Sequence, residues 1–126
     1  MARLPSSELP VNTTDLPILV KVGWRDYPIE PYEQRVAFKD RAWGHTDSDP
    51  PKIRIDAGAT SRQQAAALLH EIMHACAAVF CAPTAQVGAT GTADTEESWV
   101  MPLADGLATV WRDNPEVMRW IGEQLK

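Results

Sequence analysis

The chain has 126 residues, 44% of them hydrophobic and 23% charged, which is one domain's worth of sequence with enough apolar content to exclude global disorder. A domain of this size buries about two-thirds of its unfolded surface and needs no disulfide staples. The net charge of −5 argues against nucleic acid as the main partner. The acidity is local. Residues 1–62 hold nine Lys/Arg against nine Asp/Glu, while residues 63–126 hold three against eight.

No apolar h-region follows Met1-Ala2-Arg3, so no signal peptide is expected, and no uncharged run reaches the ~20 residues of a membrane span. A cytoplasmic protein without membrane contact is the expectation. Cys76 and Cys81, five apart on one expected helix, point to different sides and are expected to stay reduced.

Residues 1–17 carry Pro5, Pro10 and Pro17 among small polar residues and read as an extended arm, leaving residues 18–126 as a single domain. Pro17–Val22 reads as the first strand. Pro28 and Pro31 mark Trp24–Glu33 as loop or edge. Gln34–Trp43 is open between helix and strand. Gly44–Pro51 has the composition of a turn, and Lys52–Asp56 alternates like a half-buried strand.

The second half changes to helix. Thr60 with Gln63, or Ser61 with Gln64, gives a capping box, and no Gly or Pro interrupts the chain from Arg62 to Cys81. This helix is apolar nearly all round and is expected in the middle of the domain. Residues 84–93 read as a loop. From Glu96 to Arg112, Val100, Leu103, Ala104, Leu107 and Trp111 follow helical spacing, with Pro102 as a kink or a late start. Pro115 opens a short terminal helix whose apolar residues are Val117, Met118, Ile121 and Leu125.

The central helix contains His70-Glu71-Ile72-Met73-His74. Histidines at i and i+4 share a helix face, so both imidazoles can reach one ion, and zinc takes such nitrogens at about 2.0–2.1 Å. The intervening Glu71 can serve as general base toward an activated water. With three His and eight Glu in the chain, chance supplies such a motif in about one sequence in two hundred. The competing reading is a solvent-facing polar stripe. Against it, Glu71 is the only charged residue between Gln63 and Ala93, where an unpaired carboxylate is costly.

A catalytic zinc takes three protein ligands. Ala77 and Phe80 stand where a metzincin would continue with Gly and His, so that class is excluded. The donors left are Glu96 and Glu97 on the next helix, with Asp94, Asp105 and His45 as outsiders. Periodicity alone does not choose between Glu96 and Glu97. Away from the motif, both read as acids at a helix start, where the macrodipole favours them. His45 could stabilise an oxyanion or sit exposed in its turn; Asp105 could orient a ligand histidine or be solvated. Tyr27 and Tyr32 read as surface residues. The five tryptophans read as anchors in core and loops rather than a binding platform.

The order of short strands, then Leu68–Ala75 around the motif, then Glu97–Ala104 resembles the minimal gluzincin zinc metallopeptidases. It is similar to small phage- and prophage-encoded metallopeptidase-like proteins and, more distantly, to ImmA/IrrE-type peptidases. The resemblance spans roughly residues 40–112. It implies an α+β fold in which a small sheet of short N-terminal strands packs on a buried metal-binding helix and a second ligand helix. It also implies an edge strand, Ile53–Asp56, able to hold an extended peptide. In the ImmA/IrrE-type pattern the ligand glutamate precedes a Phe-Ala pair by six residues; Leu103-Ala104 takes that place, which implies Glu97. The implied activity is zinc-dependent peptide hydrolysis with His70, His74 and Glu97 on Zn²⁺ and Glu71 as base. A zinc-bearing binding or regulatory module without turnover is the alternative.

Overall fold

The computed structural model describes residues 15–32, 43–80 and 94–126. The expectations for the arm before Asp15, for the segment from Gln34 to Ala42, for Cys81 and for the 84–93 loop therefore lie outside the described residues. The fold is α+β, and the described residues form a four-stranded mixed sheet and three helices. The strands are β1 (Leu19–Val22), β2 (Arg25–Tyr32), β3 (Gly44–Ser48) and β4 (Pro51–Asp56), in the order β1-β2-β4-β3. The helices are α1 (Ser61–Val79), α2 (Asp94–Asp113) and α3 (Pro115–Gln124).

A two-residue turn joins β1 to β2, and Gly23 supplies its positive φ of 62°. β2 corrects the reading of its prolines. The strand is used in halves: Arg25–Pro28 pairs antiparallel with β1, and Ile29–Tyr32 pairs parallel with β4. Ile29 N–H donates to Ile18 O at 2.9 Å, so the neighbouring Pro28–Leu19 pair is the non-bonded kind and loses nothing for want of an N–H. Tyr32 O accepts from Ala57 N, so Tyr32 turns its backbone toward β4 and Pro31 turns away. Among the described residues each half pairs with one neighbouring strand, and each proline stands where its missing N–H faces away from that neighbour.

Gly44–Ser48 is also strand rather than turn. It runs antiparallel to β4 as the edge of the sheet, and the turn shrinks to Asp49-Pro50. Consequently β4 is interior, paired on both sides. The edge strand beside α1 is β3, not Ile53–Asp56.

One face of the sheet presents Val20, Val22, Tyr27, Ile29, Ile53 and Ile55 to the helices, all buried. Tyr27 is therefore a core residue, at 0% exposure, and not a surface one. Leu16 is buried too, so the end of the expected arm already belongs to the core. Helix α1 starts at a full capping box: Thr60 Oγ1 accepts from Gln63 N at 3.1 Å and Gln63 Oε1 accepts from Thr60 N at 3.0 Å. Gln64 is instead buried and donates to Asp56 O at 3.0 Å.

α1 buries Gln64, Ala65, Ala67, Leu68, Glu71, Ile72, Ala75 and Cys76, while Ala66, His70, His74 and Ala78 stay exposed. The helix is thus central but open along one stripe. Exposed alanines carry too little apolar surface to force burial there.

Gly106 packs α2 against α1: a methyl there would lie 2.9 Å from Phe80 Cδ2 and 3.0 Å from Cys76 Cβ. The inward stripe of α2 is Leu103, Gly106, Leu107 and Val110, the glycine and valine buried and the two leucines partly so, whereas Val100, Ala104 and Trp111 face outward. Gly106→Ala sets a helix-propensity gain of about 1 kcal/mol against overpacking of about 1–3 kcal/mol. Cys76 Cβ cannot swing aside, so a net loss of stability is expected. A midpoint of thermal unfolding at or above wild type contradicts it. Trp24, Trp43, Trp99 and Trp111 are exposed, and Trp120 is partly buried against the core, so none is a core centre. Among the described residues no helix is long and apolar enough to cross a membrane.

Burial pushes the Cys76 thiol from the usual 9.0 up to about 11. The thiolate is the reactive form, so near pH 8 alkylation of Cys76 is expected at least about 100-fold slower than that of an exposed thiol. Mass spectrometry of iodoacetamide-treated native protein checks this, and rapid labelling at Cys76 contradicts it.

Candidate metal and hydrolase site

The i, i+4 spacing on α1 brings the two imidazoles together on its open stripe. His70 Nε2 and His74 Nε2 are 3.1 Å apart, with ring centroids at 4.8 Å and planes inclined by 68°. Two nitrogens bound tetrahedrally to one zinc lie about 3.3 Å apart, so this spacing suits a shared ion. Both rings are exposed.

Glu71 sits at the boundary between that stripe and the core, at 6% exposure. Thr46 Oγ1 of β3 donates to Glu71 Oε1 at 2.5 Å and also lies 3.3 Å from Glu71 O. A hydroxyl has one proton, and the shorter contact takes it. Gly44 leaves the remaining space, since a methyl there would lie 2.9 Å from Glu71 Cγ and 3.1 Å from Oε2. Among the described residues no Lys, Arg or His forms an ion pair with Glu71. The other two buried polar residues have structural tasks: Asp56 Oδ1 accepts from Gly58 N, and Gln64 holds Asp56 O. Glu71 stands out as a buried acid held by a single hydroxyl.

These groups border a cavity of about 400 Å³, lined by Gly44, His45, Thr46, Ser48, His70, Glu71 and His74. Every lining residue is polar or lacks a side chain. The wall opposite α1 is the edge strand β3. Its alternate residues Gly44 and Thr46 meet Glu71, whereas His45 and Asp47 belong to the other set. His45 is therefore a strand residue, not a turn residue. Its Nε2 lies 3.1 Å from Asp47 Oδ1, and Asp47 Oδ2 accepts from Arg54 at 3.1 Å. That pairing ties the imidazole to its own strand's acid.

Glu97 is not gathered with the histidines. From Gly106, beside Cys76 and Phe80, the chain runs back along α1 until Lys126 O accepts from Arg62. Glu97 belongs to the part of α2 before that crossing, about 13 Å of helix ahead of Gly106. Both Glu96 and Glu97 are exposed, as is Asp105, and the Asp94 side chain lies outside the described residues. Among the described residues, no three His, Cys, Asp or Glu side chains are grouped to hold a metal. Among the described residues two donors and a buried carboxylate are in place, and no third donor is grouped with them.

Thr46 and Gly44 are the site residues that the sequence does not announce. Their signal is the pairing of β3 with β4, which sets them on the face toward α1, and no local pattern carries it. No protein-family model, curated protein or solved structure matches the chain.

Proposed function

We propose that the protein is a zinc-dependent peptidase, in which His70 and His74 bind the ion, Glu71 is the general base and Glu97, which stands apart from the histidines in this structure, would supply the third protein ligand. The observation that carries this reading is the arrangement of two Nε2 atoms 3.1 Å apart beside a buried carboxylate at one cavity. When bound, zinc would lower the pKa of a water and polarise a substrate carbonyl. Glu71 accepts a proton from the water that attacks the carbonyl carbon. It then returns that proton to the amine nitrogen as the C–N bond breaks, so a carboxylate and an amine leave. Among the described residues the outer side of β3 has no strand partner, and its backbone groups would suit an extended peptide, the role that the resemblance implies for Ile53–Asp56.

A second reading is a zinc-bearing binding module without turnover, and the exposed position of Glu97 favours it. Zinc analysis combined with hydrolysis of a quenched-fluorescent peptide pool separates the two. The peptidase reading expects zinc and turnover, with turnover lost in Glu71→Gln. Zinc without turnover selects the binding module.

A further inference from the structure

We infer that Thr46 is a positioning residue for the general base: its hydroxyl holds Glu71 Oε1, so that Oε2, beside the bare backbone of Gly44, is the oxygen that carries the proton. This rests on the peptidase reading.

Three contacts define the arrangement. The Thr46 Oγ1–Oε1 bond of 2.5 Å is at the short end of the range for a hydroxyl on a carboxylate, and it is made to a residue only 6% exposed. The same hydroxyl lies 3.3 Å from Glu71 O, so it faces both the end and the root of one residue. At Gly44, the nearest obstacles to any side chain are Glu71 Cγ and Oε2, so this edge of the sheet leaves the carboxylate its room. Both residues belong to the same alternating set of β3, two positions apart, and together they bracket the carboxylate.

The consequence for chemistry is directional. A carboxylate has two equivalent oxygens, and free rotation would share proton transfer between poorly aimed positions. Fixing Oε1 on Thr46 leaves one oxygen available in one place. Proton transfer needs heavy atoms within about 2.6–3.2 Å, so an error of about 1 Å in the base costs up to about 100-fold in rate. In this scheme the Thr46 hydroxyl is engaged by Glu71 and contacts neither the attacking water nor the substrate. Its effect therefore falls on kcat and leaves KM alone.

The test uses the zinc-loaded full chain as wild type, Thr46→Val, Thr46→Ser and Gly44→Ala, with the quenched-fluorescent peptide pool as probe. Valine keeps the volume and removes the hydroxyl; it is expected to lower kcat about 10- to 100-fold with KM within about twofold. Serine restores the hydroxyl and is expected to recover most of kcat. Gly44→Ala pushes on Glu71 Cγ and should lower kcat in the same sense. Zinc content should be equal in all four. In metal-free protein, the unfolding-midpoint shifts of Thr46→Val and Glu71→Ala are expected to be non-additive, since each removes the Thr46–Glu71 contact. A kcat for Thr46→Val equal to wild type overturns the inference and leaves the peptidase reading intact. Failure of serine to recover kcat, or additive midpoint shifts, overturns it likewise. Absence of turnover in the wild type overturns both.

Discussion

Glu71→Gln is expected to retain zinc at the wild-type ratio and to lose peptide hydrolysis by at least about 100-fold, in line with removal of a general base. The division of roles follows from the two environments on α1. His70 and His74 lie on the exposed stripe, where their ring nitrogens are open to an ion. Glu71 lies one residue round the helix, at the buried boundary, where it is held by Thr46. Glutamine has nearly the same shape and can still accept from Thr46 through its amide oxygen, though more weakly than a carboxylate, so the fold and the two imidazoles should be undisturbed. What it lacks is the capacity to take up a proton. Loss of zinc in Glu71→Gln would mean that the carboxylate is a ligand and that its role is misassigned.

The second large effect concerns the ligands. His70→Ala and His74→Ala are each expected to reduce bound zinc to background after dialysis, because a single imidazole with exposed surroundings cannot retain the ion. For the third donor the expected outcome is that Glu97→Ala loses zinc and Glu96→Ala keeps it. Adjacent residues on a helix are about 100° apart, so only one of the two can serve. The neighbour's removal should cost at most about 1 kcal/mol of stability, the scale of a helix-start interaction. The exposed position of Glu97 makes this the most exacting of the ligand tests. Zinc kept by both variants would leave His70 and His74 without a glutamate partner from α2 and would favour the binding-module reading. Zinc lost by Glu96→Ala alone would move the ligand one residue.

What could be read from sequence was local. The capping box at Thr60, the run without breakers through α1, and the two histidines four apart all lie within a few turns of one helix. The same holds for the alternation in β4 and the proline-opened α3. The missed parts are those made by pairing at a distance. β2 contains two prolines that read as breakers. They are tolerated because each stands where its missing N–H faces away from the strand its half pairs with. β3 has turn composition, Gly-His-Thr-Asp-Ser, and becomes a strand because β4 pairs with it. That single tertiary fact moves the edge of the sheet from β4 to β3, and with it the wall of the cavity. It also turns Thr46 toward Glu71, twenty-five residues away in the chain. In α2, the amphipathic Trp111 reads as buried by spacing alone. The actual stripe is set by Gly106, where the absence of a side chain lets Cys76 and Phe80 approach.

The measurement that bears most directly on the central claim is the zinc-to-protein ratio of the chain purified without added metal, determined by elemental analysis beside His70→Ala. A ratio near one in the wild type and near zero in the variant is the predicted result. A wild-type protein that is folded and carries no more zinc than His70→Ala would contradict the zinc site, and with it the assignment of Glu71 as the base of a metallopeptidase.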